Sequence, residues 1–367
     1  MISAASVGLG ERTLGDVAVG RDNNFNLVRF LAAFAVLFSH SFALSSGDPA
    51  TEPLRDWLGV TPGTLAVDVF FITSGFLVTA SLMQRQHLRQ FVWARVLRIY
   101  PALLVAVLLT VVAVGLRFTS LPWRAFAAEP QTWEYLVRNA TLVTGIVHRL
   151  PGAFEAIPWR HAVNASLWTL PYEIAMYAGL AMLWLGLRGS RAVTARRFSL
   201  AVGTVFVVCM TTMLLLRGYV SSNALRLAAM FFCGATMYAL RDRIVFDRRL
   251  LWLSLLVLAL ASLNLNVFAR VYPLALPYAV IYAAYAPSPA LHNFNRLGDC
   301  SYGLYIYAWP VQQMTAALLP GIGAAAMLGV SFTATLTLAL LSWHLVERRA
   351  LALKSRPVHP RTRPRAE

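Results

Sequence analysis

Charge is what this 367-residue sequence has least of: only 13% of its residues are Asp, Glu, Lys or Arg, against about a quarter in a soluble globular chain. Together with 58% hydrophobic residues and a mean hydropathy of +0.60, that deficit excludes an ordinary soluble enzyme and a disordered chain. Acidic residues are scarcer still, 16 against 32 basic ones. The resulting net charge of +16 does not describe a nucleic-acid binder, because the basic residues fall in short clusters between apolar runs and not on one soluble face. The three cysteines, Cys209, Cys233 and Cys300, fit neither a zinc site nor a disulfide framework and read as small buried hydrophobes. The sequence has no phosphate-cradling Gly-x-x-x-x-Gly-Lys loop, no dinucleotide fingerprint and no Gly-x-Ser-x-Gly nucleophile elbow. Its histidines show no metal-ligand spacing, so no metal site is expected.

What the sequence has in abundance is apolar runs. Ten occur, near 26–46, 65–82, 101–118, 165–186, 199–216, 224–240, 251–267, 270–287, 301–318 and 322–346, each close to the ~20 residues that cross a bilayer as a helix. The expected fold is therefore an all-α integral membrane protein, a bundle of about ten transmembrane helices. Arginines cluster in alternate connections (Arg85, Arg89, Arg95 and Arg98; Arg191, Arg196 and Arg197; Arg241, Arg243, Arg248 and Arg249) and again after Arg348. The positive-inside rule then places both termini in the cytoplasm. Three parts follow. Residues 1–24 are a cytoplasmic segment without the apolar core of a signal peptide, 25–350 form the transmembrane domain, and 351–367 form an Arg- and Pro-rich tail, expected to be disordered and drawn to anionic lipid. The connection 118–164 is long, rich in Pro and Trp, and faces outward; loops of this length are usually functional or disordered.

Ionisable groups inside apolar runs are costly and point to function. Arg29 and His40 lie eleven residues apart in the first run, about three helical turns, so they share a face at a separation of ~16 Å. The alternative is a snorkelling arginine and a structural histidine. Asp68 in the second run and Glu173 in the fourth are expected at the depth of His40, where a carboxylate beside the imidazole would fix its tautomer and raise its basicity; the alternative is an ion-paired structural cluster. Ser74-Gly75 is suited to close helix packing. Arg95 and Arg98, three residues apart just before Tyr100-Pro101, can face one ligand and grip a phosphate, or serve as topology anchors.

Five segments in order carry a resemblance: Arg29 to His40; Asp68 to Phe76; Arg95-Val-Leu-Arg98-Ile-Tyr-Pro101; Asn164-Ala-Ser-Leu-Trp168-Thr-Leu-Pro-Tyr-Glu173; and Gly298-Asp-Cys-Ser-Tyr-Gly-Leu-Tyr-Ile-Tyr-Ala-Trp-Pro310. Together, over roughly residues 23 to 350, they resemble the membrane acyltransferase-3 family, whose members O-acylate bacterial surface and secreted glycans. The resemblance implies a ten-helix protein of the bacterial inner membrane with no tightly bound cofactor. It would take an acyl group, commonly acetyl, from cytoplasmic acyl-CoA and deliver it to a carbohydrate hydroxyl on the outer side. His40 would be catalytic, with Asp68 or Glu173 orienting it; Arg95, Arg98 and Arg29 would meet the CoA; Trp168, Asn164 and Ser74 would lie at the substrate. One departure stands out: where many longer relatives carry two adjacent glutamates, this chain has Glu173-Ile174. From the residues alone a second class stays open, a proton-coupled transporter or flippase with His40, Asp68 and Glu173 as its relay, although no inverted repeat or paired broken helices are visible.

Overall fold

The computed structural model describes residues 12–20, 22–85, 87–160, 162–187, 189, 191–215, 222–287 and 293–355. Parts of the expected terminal segments, residues 1–11, 21 and 356–367, lie outside that set. Among the described residues the chain is helical, and β-structure is limited to two isolated bridges, Thr13 with Val245 and Thr119 with Ala153.

Each apolar run carries a helix. In chain order these are α1 Phe25–Ser46, α2 Pro62–Arg85, α3 Leu88–Ala113, α4 Leu170–Gly186, α5 Arg191–Leu215, α6 Asn223–Ala239, α7 Arg248–Ala261, α8 Leu265–Tyr285, α9 Ser301–Leu318 and α10 Ala324–Ser342. Among the described residues six helical stretches, built on α1, α2, α3, α5, α8 and α10, are long and apolar enough to cross a membrane. Leucines 104, 108 and 109 of α3, and Trp252, Leu253, Leu256 and Leu260 of α7, are exposed, as a bilayer-facing surface requires. The centre of the bundle is α9. From Ser301 to Pro310 every side chain is buried, the all-round burial of a core helix, and its polar groups find partners on neighbours. Gln312 donates to the Leu37 carbonyl and the Ser41 hydroxyl, both at 2.9 Å.

The packing of α2 on α6 rests on two glycines. A Cβ on Gly75 would stand 1.9 Å from the Phe231 carbonyl oxygen, and one on Gly234 would stand 2.0 Å from that of Ile72. Backbone thus meets backbone, the close approach expected of Ser74-Gly75.

Three expectations need correction. First, α3 begins at Leu88 and runs through Pro101, so Arg95 and Arg98 lie within a helix and not ahead of one. Proline is tolerated in membrane helices where neighbouring helices support the backbone; α9 packs on this stretch, with the Tyr302 hydroxyl donating to the Ile99 carbonyl at 2.9 Å. Second, the seventh and eighth runs, read as 251–267 and 270–287, part earlier, at 262–264. Asn264 caps α8 by accepting from the backbone N–H groups of Asn266 and Val267, which places Arg270 inside the helix. The 14 residues of α7 span ~21 Å, short of a ~30 Å hydrocarbon layer. Third, the connection 118–164, read as a long loop, carries regular structure among its described residues. It forms two short helices, Trp123–Ala128 and Pro130–Thr141, followed by a loop fastened onto α9. In that fastening the Trp309 indole donates to the Ala162 carbonyl at 3.0 Å, and Gln313 donates to the Trp159 and Ala162 carbonyls at 3.0 and 2.6 Å.

Candidate functional site

A cavity of about 530 Å³ opens at the Arg29 end of α1 and reaches inward between α2, α3, α4 and α9. Arg29, Arg98 and Asp299 line it, as do Arg95, Ser74, Glu173 and Tyr177, and Thr169 and Tyr305.

The mouth is organised by one carboxylate. Asp299 Oδ2 accepts from Arg29 at 2.8 Å and from Arg98 at 2.7 Å. Gly298, with φ of +84° and Trp343 standing where a side chain would be, turns the chain tightly enough to aim Asp299 at both arginines. Burial by itself raises the Asp299 carboxyl, but Arg29, then Arg98, and hydrogen bonds from Ser301 outweigh it and hold it at about 2. Arg98 also reaches Glu347 at 3.4 Å. Glu347 lies in a π-helical turn, Trp343–Glu347, that continues α10, and it accepts from Ser342 at 3.0 Å; such turns re-aim side chains and recur at functional sites.

Elsewhere in the lining, Tyr177 donates to Glu173, and Ser74 lies 3.3 Å from the same carboxylate oxygen and 2.8 Å from the Tyr177 hydroxyl. The spacing of four residues along α4 brings Glu173 and Tyr177 onto one face. Arg95 stands beside this group with its guanidinium carbon 5.8 Å from the Tyr177 ring centre and 6.0 Å from that of Phe91. Its Nε is buried without a hydrogen-bond partner, and no carboxylate pairs with it among the described residues. Arg29 and Arg98 are thus paired with carboxylates, whereas Arg95 makes no salt bridge among the described residues and lies beside Glu173 and Tyr177.

His40 lies beyond the cavity. Its ring packs edge-on against Trp309, with centres 4.6 Å apart, and its Nδ1 is buried without a hydrogen-bond partner among the described residues. The Thr169–Tyr305 hydrogen bond of 2.8 Å lies in the cavity lining, one turn of α9 before Trp309.

The structure therefore separates residues that the sequence places together. Asp68 does not reach His40. It is paired with Arg226 of α6 and accepts from Tyr272 of α8 at 3.3 Å. Glu173 belongs to the Ser74–Tyr177 group. Neither carboxylate orients the imidazole, and the three groups form no hydrogen-bonded relay. Trp168 packs on Tyr172 with ring centres 5.8 Å apart and lies outside the cavity lining. Asn164 donates to the Ile306 carbonyl at 2.9 Å, which ties the start of the α4 segment to α9. Among the predicted substrate residues, Ser74 alone lines the cavity. Among the described residues no three His, Cys, Asp or Glu side chains are grouped to hold a metal ion.

Sequence reasoning missed Arg226, Glu347 and Tyr177, and left Asp299 and Trp309 without a role although both fall in a quoted segment. The criterion that singles out Asp68, an ionisable group in an apolar run, applies equally to Arg226 in the run 224–240, whereas Glu347 falls just past the run 322–346.

Comparison with known proteins follows the same lines. The family model of acyltransferase 3, described as an acyltransferase domain, matches residues 22–344. The chain is 30% identical over 358 residues to a protein of Shigella phage Sf6 named O-acetyl transferase, covering 91% of this chain and 98% of that protein. It is 29% identical over 357 residues to a Rhizobium leguminosarum bv. viciae protein named Nodulation protein 10, covering 92% and 95% respectively. No solved structure matches.

Proposed function

Because the chain belongs to the acyltransferase-3 family, and so is an enzyme that transfers acyl groups, we propose that it moves an acetyl group from acetyl-CoA to a hydroxyl of a cell-surface or secreted carbohydrate. In this reading ten helices lie in a bacterial inner membrane, with both termini and the cavity mouth on the cytoplasmic side and His40 toward the outer side. The observation that carries it is the cavity itself, whose lining presents three arginines, of which Arg95 makes no salt bridge among the described residues and suits an anionic donor.

The residues divide the work along the axis. Asp299 holds Arg29 and Arg98 at the mouth, where the charged end of the donor docks, and Arg95 takes a phosphate oxygen inside. Glu173 fixes the Tyr177 and Ser74 hydroxyls along the wall that the pantetheine arm follows. The thioester reaches His40 once the Thr169–Tyr305 hydrogen bond opens. His40 then takes the proton of the acceptor hydroxyl as its oxygen attacks the thioester carbonyl. The C–O bond forms, the C–S bond breaks, and the departing thiolate takes the proton back from the imidazole. Trp309 holds the ring in place of the expected carboxylate, and Asp68 with Arg226 secures the bundle beside it.

Sealed membrane vesicles of both orientations test this reading. Labelled acetyl-CoA supplied to the cytoplasmic face should label glycan, and the same donor supplied to the outer face should not. Equal labelling from both faces overturns the axis, and labelling from neither overturns the reaction.

A further inference from the structure

A second cavity, of about 280 Å³, lies in the segment between α3 and α4, outside the helix bundle and at the His40 end of α1. Its lining is polar: Arg149, Glu155, Arg160 and Gln131 stand around a backbone turn that runs from Leu150 to Phe154. Arg149 and Glu155 make no ion pair among the described residues, and Arg160 makes one long hydrogen bond, from its Nε to the Ile157 carbonyl at 3.4 Å. Charged side chains left unspent around a concave space are available to a ligand.

The turn is held firmly. Phe154 has a φ of +58°, a strained value for a bulky residue that persists only where the surroundings enforce it and that clusters at binding sites. Here its N–H donates to the Phe118 carbonyl at 3.1 Å and its ring packs on Phe118 with centres 5.5 Å apart. The turn is also tied to the end of α3 by Ser120, whose N–H donates to the Gly152 carbonyl at 3.0 Å.

The position of this cavity gives it meaning. Ala162, part of its wall, has its carbonyl fixed by the Trp309 indole at 3.0 Å, and Trp309 is the ring against His40. Trp159, next to Arg160, packs on the same indole with ring centres 5.9 Å apart. One side chain thus separates the cavity wall from His40, on the opposite side from the donor cavity.

The geometry points to this cavity as the acceptor subsite: it takes a saccharide ring of the carbohydrate that receives the acyl group, next to the hydroxyl presented to His40. Guanidinium, carboxylate and amide groups supply the mixed donors and acceptors that the hydroxyls of one sugar ring need. The volume lies at the small end of ligand pockets and suits a ring, not an acyl chain. The rigid turn fixes the ring before transfer, so its binding costs little ordering of the protein.

This assignment rests on the acyltransferase reading above, and the test separates the two. Wild type, Arg149→Ala and Glu155→Gln are purified in lipid and supplied with acetyl-CoA and polysaccharide extracted from the envelope of the expressing cells. The KM for polysaccharide should rise about tenfold or more in each variant, the loss expected for a hydrogen bond to a charged group, while the KM for acetyl-CoA stays at the wild-type value. Oligosaccharides cut from the same polysaccharide should quench tryptophan emission through Trp159 and Trp309 in wild type, and at least tenfold more weakly in Arg149→Ala, with no donor present. Unchanged polysaccharide KM and quenching in variants of an active protein overturn the subsite alone. Absence of acetyl transfer by wild type overturns the reading on which it stands.

Discussion

Replacing Asp299 by asparagine keeps the shape of the side chain and removes the charge that two arginines share. In wild type a single oxygen accepts from Arg29 at 2.8 Å and from Arg98 at 2.7 Å. Removing one partner of a fully buried charge cluster costs about 3–5 kcal/mol. The cost is smaller here, because the Arg29 and Arg98 side chains are 22% and 15% exposed, asparagine still offers a carbonyl acceptor, and Arg98 retains Glu347 at 3.4 Å. A loss of about 2–3 kcal/mol follows, and at roughly 2 °C per kcal/mol for a chain of this size the melting temperature in lipid or mild detergent should fall by about 4–6 °C. The decisive readout is the cycle with Arg29→Gln. Once Asp299→Asn is present, removing Arg29 should cost much less than it does in wild type, because its partner has already gone. Shifts that add to within about 1 °C, which marks independent sites, would refute the shared carboxylate and with it the organisation of the cavity mouth.

Three further outcomes follow from the same geometry. Arg95→Gln should raise the KM for acetyl-CoA by about tenfold or more, since a charge-assisted hydrogen bond contributes ~1.5–3 kcal/mol; an unchanged KM in a steady-state CoA-release assay would remove Arg95 from the donor site. Asp68→Asn strands the Arg226 guanidinium and should destabilise by about 3–5 kcal/mol. The double variant with Arg226→Met should recover much of that loss and retain turnover, whereas a stable but inactive double variant would return Asp68 to the reaction. Gly75→Ala forces a methyl group against the Phe231 carbonyl and should lower the melting temperature more than Asp299→Asn does, so an unshifted melt would contradict the backbone contact between α2 and α6.

The fold was legible because its signal is summed over many residues. A run such as 26–46 declares a membrane-spanning helix by composition, whatever its neighbours do. What composition hides is where a helix ends. Pro101 looks like a start, yet α3 continues through it, in a stretch held against α9 by Tyr302, two hundred residues away in the chain, which donates to the Ile99 carbonyl. The site was legible in its members and illegible in its pairings. Arg29, Arg95, Arg98, Ser74 and Glu173 all line the cavity, and each was visible as a polar group in an apolar context. Depth along the membrane suggested that His40, Asp68 and Glu173 meet, but depth fixes one coordinate of three. Rotation about each helix axis sends Asp68 to Arg226, Glu173 to Tyr177 and His40 to Trp309, and that rotation is set by contacts such as Gly75 on Phe231, which the sequence of one helix does not contain. The role of Trp309 was invisible for a further reason, since an aromatic in an apolar run carries no mark that it faces a histidine.

The central claim, that His40 is the group that makes the acceptor hydroxyl reactive, is tested most directly by thiol release from acetyl-CoA in lipid vesicles, with wild type beside His40→Ala and envelope polysaccharide present or absent. The account predicts release by wild type that depends on polysaccharide and is lost in His40→Ala at an unchanged melting temperature. Polysaccharide-dependent release by His40→Ala at the wild-type rate would contradict it.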